Sequence, residues 1–415
     1  MLISIVIPSR DRAKYLKYSL QTALAISDQN LEILVSDNAS EDNTKELVKS
    51  FSDSRLRYIN TGTRISMRAN FEFALKASRG DYLIFFGDDD GILPGQFPAL
   101  RHFLEEYKPD GVTWNPLSYG WPTKGSNRKS GGIRFERNML FGAVCVSSPQ
   151  ECIKTLMKAD TERENILPKL YHGCMSRKYL DRLANSDGVY FCGRSPDIYI
   201  SFRATQLGGN FLRIDHPFSI NGYSPASTGG NMVSMGTNQK DVNKDFRFLK
   251  ECQNDIIDDV IPITKSMSFA YLSAVETVRS FFPENKMSPD YVLWYARAFR
   301  DASKKDSTTS KEIISDITVY AKKTGTEAQL KEARTTRKLA VRKLKKLFKK
   351  LYSKMFSFRI RAELDGENTI LTAQMASDMI LGRDIDLLLE KKYSRSAAWK
   401  MAKARRKELE GRILD

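Results

Sequence analysis

The N-terminal stretch changes hydrophobic period several times, and each change marks an element. Residues 3–7 (Ile-Ser-Ile-Val-Ile) are mostly apolar and β-branched and are closed by Pro8, the pattern of a strand buried on both faces. Ala13, Leu16, Leu20, Ala23 and Leu24 then recur at helical spacing, with Ser9 or Asp11 placed to cap the start. Residues 31–35 form a second strand, and Thr44, Leu47, Val48 and Phe51 mark a second helix. A short strand at 56–59, a helix at 70–77 and a strand at 82–86 continue the alternation. This βαβαβαβ order predicts an α/β fold with a mostly parallel sheet and flanking helices, with ligands bound beyond the carboxyl ends of the strands.

From about residue 242 the spacing becomes helical throughout, with helices expected over 246–261, 266–281, 289–302 and 311–323. A compositional shift at 229–240 places the boundary between a first domain, 1–235, and an all-helical C-terminal region, 236–415. Within that region Leu344, Leu347, Phe348, Leu351, Tyr352 and Met355 form an apolar stripe opposite lysines, predicting a basic amphipathic helix at about 334–358. Residues 366–415 read as helical and charge-mixed. The polar, Gly-rich stretches 121–132 and 224–231 read as mobile loops, the second a candidate lid.

Charge sharpens the picture of that helix. The 415-residue chain carries a formal +16. Twelve basic and no acidic residues lie between Ala333 and Ala362, so the remainder carries only +4. The basic character belongs to one segment. Three uses compete for it: an anionic membrane surface, a packed helix with a solvated lysine face, and nucleic acid. The first is favoured; no nucleic-acid recognition motif accompanies the charge, so no nucleic-acid partner is expected. Five cysteines without a Cys-x-x-Cys pair indicate neither a disulfide framework nor a zinc site. The N-terminus begins as a strand rather than a signal peptide, and no apolar run approaches a membrane span. A cytoplasmic protein, peripheral on the inner face of the membrane, is the expectation.

The candidate chemistry lies at the strand ends. Asp88-Asp89-Asp90 closes the fourth strand and is followed by a Gly-Ile-Leu-Pro-Gly turn. Like charges this close at a buried strand end call for a cation, an acidic surface turn being the plainer alternative. Pro8-Ser9-Arg10, Asp37 and the triplet each follow a strand and are expected to share one crevice. Neither a Gly-x-Gly-x-x-Gly after the first strand nor a P-loop is present, so phosphate charge has to be met another way.

Four blocks together resemble glycosyltransferase family 2: Ser4-Ile5-Val6-Ile7-Pro8-Ser9-Arg10-Asp11-Arg12, Val35-Ser36-Asp37-Asn38-Ala39-Ser40-Glu41-Asp42-Asn43-Thr44, Ala77-Ser78-Arg79-Gly80-Asp81-Tyr82, and Phe86-Gly87-Asp88-Asp89-Asp90. The resemblance covers roughly the first 230 residues. It implies a GT-A fold and an inverting enzyme that moves a sugar from a nucleotide-sugar donor, UDP-sugar favoured, to a hydroxyl of a glycan or lipid-linked acceptor in bacterial surface polysaccharide or lipopolysaccharide synthesis. It further implies donor contacts from Pro8, Ser9, Arg10, Asp37, Arg68 and Asp88, and Mg²⁺ or Mn²⁺ on Asp88, Asp89 and Asp90. Arg68 and Asn70 fall near the family's Arg-Asn block, two positions apart rather than adjacent.

Two registers of the family's Asp-x-Asp stay open. One puts Gly87 at the first aspartate and Asp89 at the metal; the other uses Asp88 and Asp90. Farther on, Pro196-Asp197 through Arg203 resembles the family's Glu-Asp block, with Pro196 in place of glutamate. Asp197 is thereby implied as the base, the plainer reading being a helix-capping aspartate. His102 reads as surface or packing, His172 as a possible acceptor contact, and His216 as a group that could approach the diphosphate or metal. The alternative to an enzyme is a non-catalytic, membrane-peripheral or nucleic-acid-binding protein with a degenerate nucleotide fold.

Overall fold

A computed structural model describes residues 1–122, 131–160, 166–226, 251, 255, 264–284, 287–336 and 355–414. The alternation read from the sequence is present: β1 (Ile3–Ser9), α1 (Ala13–Leu24), β2 (Leu31–Asp37), α2 (Thr44–Lys49), β3 (Leu56–Asn60), α3 (Met67–Ala77) and β4 (Tyr82–Phe85). These four strands are parallel, in the order β3-β2-β1-β4. Alternate residues feed opposite cores. Ile3, Ile5, Ile7, Ile33, Val35 and Ile84 pack on one face, and Val6, Leu34, Leu83 and Phe85 on the other. That two-sided burial is why the strands read as continuous apolar runs.

The chain continues through β5 (Gly91–Ile92), α4 (Phe97–Tyr107), β6 (Gly111–Trp114), β7 (Leu117–Gly120), β8 (Gly132–Glu136), β9 (Val144–Val146), α5 (Pro149–Met157), β10 (Gly173–Ser176), α6 (Arg177–Leu183), α7 (Pro196–Leu207), β11 (Phe211–Ile214) and β12 (Ser219–Tyr223). Beyond β4 the main sheet is mixed. β10 runs antiparallel to both β4 and β6, β11 is parallel to β6, and β9 closes the edge antiparallel to β11. A second sheet has the order β13-β8-β7-β12-β5, where β13 is Ser357–Arg361.

The second sheet draws strands from both sides of the expected division at residue 235. β13 pairs with β8 over five residues, more than 200 positions apart in the chain. Phe358 stacks on Phe135 at 5.0 Å, and Trp399 lies 5.3 Å from Phe358. The helices Ile370–Leu381 and Arg395–Leu414 close the same core. The physical reason is burial: Ile133 and Phe135 face a core that the N-terminal half does not cover by itself.

Helices dominate the rest of the C-terminal region as expected, at Met267–Phe281, Tyr291–Ala302, Ser307–Thr324 and Glu327–Thr335. They share a core with α5 and α7. Among the described residues, three short strands interrupt the helical pattern, β13 and the hairpin of Glu363–Leu364 with Glu367–Asn368. The basic amphipathic helix lies outside the described residues at 337–354, and its last two positions, Ser357 and Phe358, are in β13. Most of the helix expected at 246–261 and of the stretches 121–132 and 224–231 also lies outside them.

Candidate active site

The strand ends converge as their spacing requires. β1 and β2 are in register from Ile3↔Leu31 to Ser9↔Asp37, so Ser9 and Asp37 are opposite one another at the carboxyl end. Ser9 Oγ donates to Asp88 Oδ2 at 2.8 Å, tying in β4. Asp37, 1% exposed, accepts from Tyr58 Oη at 2.6 Å and Asn60 Nδ2 at 2.9 Å on Oδ2, and from the Ser40 N–H at 3.0 Å on Oδ1. Burial and the bond to Asp37 push the Tyr58 phenol up to about 12.

All three triplet carboxylates are buried, and each faces different partners. Asp88 takes Ser9 on one oxygen and Arg12 Nη1, at 3.0 Å, on the other. Burial raises its carboxyl against the pull of Arg12 and Ser9. Asp89 accepts Ser224 Oγ at 2.5 Å, and its backbone carbonyl accepts Trp121 Nε1 at 2.9 Å. Burial together with the charges of Asp90 and Asp88 pushes Asp89 up to about 7. Asp90 accepts Gly87 N–H at 2.8 Å and Tyr171 Oη at 2.5 Å on Oδ2, and Gly222 N–H at 2.7 Å on Oδ1. Burial opposes its ionisation, but contacts from His172, Tyr171 and Gly222 outweigh it and hold Asp90 below the ordinary carboxylate value.

Two glycines admit the loop. A Cβ on Gly222 would sit 1.8 Å from the Asp89 carbonyl oxygen, so no side chain fits there. A Cβ on Gly87 would meet Tyr171 Oη at 2.7 Å, so a side chain at that position would have to displace the Tyr171–Asp90 contact. Among the described residues no group of three or more His, Cys, Asp or Glu side chains is arranged to hold a metal ion. Asp90, with three donors on its two oxygens, is the member least able to take one; Asp88 has two side-chain donors and Asp89 one among the described residues.

Asp197 lies in the first turn of α7, whose N-cap is Ser195, so the aspartate is not itself the cap residue. It is half-buried, and its charge adds to the forces raising the Tyr171 phenol, after burial, Asp90 and Asp89. Tyr171, bonded to Asp90, is thus within electrostatic reach of both the triplet and Asp197. Arg203 points elsewhere: its guanidinium carbon lies 3.4 Å from the Phe282 ring centroid, locking α7 to the helix Met267–Phe281. Arg10 and Arg68 turn to Glu251 at 2.6 Å and Asp255 at 2.8 Å, and no bond joins either to the triplet among the described residues. Pro8 occupies its strand position opposite Ser36.

Arg12 and Tyr15 were not singled out from sequence. Arg12 is the N-cap residue of α1 and makes no side-chain cap; neither Ser9 nor Asp11 caps the helix, and Asp42 accepts the Ala13 N–H at 2.9 Å instead. Burial opposes the charge of Arg12, but Asp88 and Asp89 raise its basicity further. It also donates to the Ala226 carbonyl. Tyr15 is raised by burial and by the charge of Asp89. The signal available for both was position, a polar loop at a strand end followed by the first helical turn.

His216 is corrected. It is fully buried, accepts the Phe141 N–H at 3.2 Å on Nδ1 and lies 3.0 Å from Gln96 Oε1 through Nε2. Burial lowers it to about 3, so it is a neutral core group whose two ring nitrogens are taken by Phe141 and Gln96. His172 is buried beside Asp90, Nε2 to Oδ2 3.3 Å, and His102 is exposed on α4.

These features define an α/β protein with an acidic site at the carboxyl ends of parallel strands. Residues 4–172 match the family model Glycosyl transferase family 2. This part of the chain is a glycosyltransferase family 2 domain. Glycosyltransferase GlyG of Streptococcus pneumoniae is 27% identical over 120 residues, 28% of this chain and 40% of that protein. Abequosyltransferase RfbV of Salmonella typhimurium is 31% identical over 110 residues, 25% and 33%. The GalNAc(5)-diNAcBac-PP-undecaprenol beta-1,3-glucosyltransferase of Campylobacter jejuni is 29% identical over 107 residues, 25% and 35%. The chain thus spans between a third and two-fifths of the length of these relatives. Among solved structures, S. aureus TarS 1-349 in complex with UDP-GlcNAc is 14% identical, with a TM-score of 0.43 over 78% of this chain and 92% of that one.

Proposed function

We propose that the protein transfers a sugar, with inversion, from a nucleotide-sugar donor to a hydroxyl of a glycan or lipid-linked acceptor. The observation that carries this reading is the convergence of Ser9, Arg12, Asp37, Asp88 and Asp89 at the ends of β1, β2 and β4, with Asp197 within electrostatic reach of Tyr171, which bonds Asp90. Ser9 and Asp37 line the nucleotide end. Arg12 supplies positive charge beside the leaving diphosphate, and Asp197 takes the acceptor hydroxyl's proton as its oxygen attacks the anomeric carbon. Pro8, Arg10 and Arg68 stay as outer donor contacts, the arginines exchanging Glu251 and Asp255 for substrate anions.

Asp88 and Asp89 would hold Mg²⁺ or Mn²⁺. Hard carboxylate oxygens suit either ion, and one or two protein carboxylates completed by substrate phosphates is the usual arrangement for Mg²⁺. The raised Asp89 carboxyl fits a site that lacks one positive charge. When bound, the ion supplies charge neutralisation to the departing diphosphate.

A UDP-sugar donor and a lipid-linked acceptor draw support from the names of two relatives, the Campylobacter enzyme and the E. coli protein named UDP-Glc:alpha-D-GlcNAc-diphosphoundecaprenol beta-1,3-glucosyltransferase WfaP. Such an acceptor suits a protein peripheral on the inner membrane face, with the basic segment at 334–358 on anionic lipid. No described helix is long and apolar enough to cross a membrane. Flotation with anionic liposomes tests this: full-length protein that stays at the bottom of the gradient rules the membrane reading out.

The decisive experiment is a nucleotide-sugar panel with and without Mn²⁺. Asp197→Asn is expected to lower transfer about 100-fold or more with nucleotide affinity retained. Loss of nucleotide binding in that variant would remove Asp197 from the role of base. No binding by the wild type across the panel would favour a non-catalytic protein.

A further inference from the structure

Asp90 is reached by a chain of buried groups that extends well behind the site. Trp114 Nε1 donates to Ser219 Oγ at 2.8 Å, and Ser219 Oγ lies 2.8 Å from His172 Nδ1. His172 Nε2 lies 3.3 Å from Asp90 Oδ2 and has no hydrogen-bond partner among the described residues. Trp114, Ser219, His172 and Asp90 are each less than 5% exposed.

The direction of this chain follows from its first member. An indole nitrogen can only donate, so Ser219 Oγ accepts from Trp114 and its own hydrogen is left for His172 Nδ1. His172 then carries its hydrogen on Nε2, the side facing Asp90. The opposite polarity, with hydrogen on Nδ1, would leave the Ser219 hydrogen without an acceptor among the described residues, a costly arrangement in a dry interior. The 3.3 Å separation is long for a hydrogen bond and marks an electrostatic contact. The ring cannot drift away from it easily. His172 has φ +49°, a left-handed conformation, and its N–H is bonded to the Phe85 carbonyl at 3.0 Å.

We propose that Trp114, Ser219 and His172 form a directional relay that makes Asp90 a positioning residue. With Tyr171, Gly87 and Gly222 also on its oxygens, Asp90 joins the end of β4, residues 171–172 and β12. That junction fixes how Asp88 and Asp89 are presented. The inference rests on the transferase reading above in one respect only, the cation that those two carboxylates face.

Two measurements test it on the full-length chain. Tautomer-sensitive ¹⁵N spectra of the three histidines, with His172 assigned by its loss in His172→Gln, are expected to show hydrogen on Nε2, and Ser219→Ala is expected to disturb that state. Mn²⁺ binding in the presence of UDP, followed by loss of the free-ion EPR signal, is expected to weaken about tenfold in His172→Phe. His172→Gln, whose amide can still donate to Asp90, should recover most of the loss. If His172→Phe does not fold, Ser219→Ala carries the same comparison. Hydrogen on Nδ1 in the wild type, or a folded His172→Phe variant with unchanged Mn²⁺ affinity, overturns the proposal. A wild type that binds Mn²⁺ but transfers no sugar refutes the function above and leaves the relay standing; one that binds no Mn²⁺ refutes the cation and the positioning role together.

Discussion

The two sheets carry the same triplet from opposite sides, and they are built in opposite ways. β1 to β4 come from one continuous stretch, residues 3–85, in which β1, β2 and β3 pair with strands one helix away in sequence and β4 returns to pair with β1. The second sheet joins β5, β7, β8 and β12, all within residues 91–223, to β13 at 357–361. The first sheet delivers Ser9, Asp37 and the triplet to one place. The second aims them: Gly222 binds Asp90, Trp121 binds the Asp89 carbonyl, and Ser224 binds the Asp89 carboxylate. The lesson is that the locally built half supplies the site's groups, while the half built by long-range pairing sets their orientation.

The severest way to break this division is to end the chain at residue 235. If the first sheet were self-sufficient, residues 1–235 would fold. Removing β13 and the helix Ile370–Leu381 uncovers Ile133, Phe135, Leu117 and Tyr119, all buried in the whole chain. The helix Met267–Phe281 also goes, stripping the Phe282 face from Arg203. The expected outcome is insoluble protein or the absence of a cooperative thermal transition by circular dichroism; a soluble, cooperatively melting fragment would support a boundary at 235.

A single-atom test of the seam comes next in size. Gly222→Ala places a methyl group 1.8 Å from the Asp89 carbonyl oxygen, and backbone rather than a flexible side chain has to move. Overpacking of this kind costs typically about 1–3 kcal/mol, and more where the neighbour is rigid. The variant should lose transfer activity out of proportion to its fall in Tm, because the displaced atom belongs to the triplet itself. A variant that keeps wild-type activity would detach β12 from the site.

Phe358→Ala addresses the same sheet away from the site. Its ring is 6% exposed, between Phe135 and Trp399, and its loss is expected to cost about 3 kcal/mol, read as a lower midpoint in urea. Activity measured well below the new midpoint should stay close to wild type. If it falls as far as in Gly222→Ala, the outer strand tunes the site and the contrast between the sheets is weaker than drawn.

What could be read from the sequence follows the same line. β1, β2 and β4 are buried on both faces and lie in one continuous alternation of strands and helices, so composition and spacing alone specify them, and the Ser9–Asp37 alignment follows from seven residues in parallel register. β13 could not be read this way. Ser357–Arg361 alternates Ser-Phe-Arg-Ile-Arg, but it follows a run of lysines at helical spacing, and its partner lies more than 200 residues upstream. The site shows the same split. The triplet, Ser9 and Asp37 carry their own signal in charge and strand-end position. Arg12, Tyr171, His172 and Ser224 acquire meaning only from what faces them, and His216 had the right residue type in a place that burial makes inert. Gly87 is where the two kinds of reading meet, since a side chain there would meet Tyr171, 84 residues later.

The smallest expected effect tests the electrostatics at the seam. Asp89 has an ordinary value of 3.8 and is pushed up to about 7 in the fold by burial, Asp90 and Asp88. Between those two values the folded chain holds a proton that the unfolded chain has released, so stability falls as pH rises through that window. Above it both states are ionised and the folded one carries the full cost of the buried charge. Asp89→Asn removes the titration while keeping the Ser224 contact. With chelator present, the variant and the wild type should melt together near pH 4, and the variant should be more stable at pH 8, by on the order of 1–3 kcal/mol once coupling to the neighbouring carboxylates is allowed for. Added Mn²⁺ should raise the wild type at pH 8 and leave the variant nearly unmoved. A wild type whose lead over the variant grows with pH would reverse the sign and show that Arg12, rather than the two neighbouring aspartates, governs Asp89.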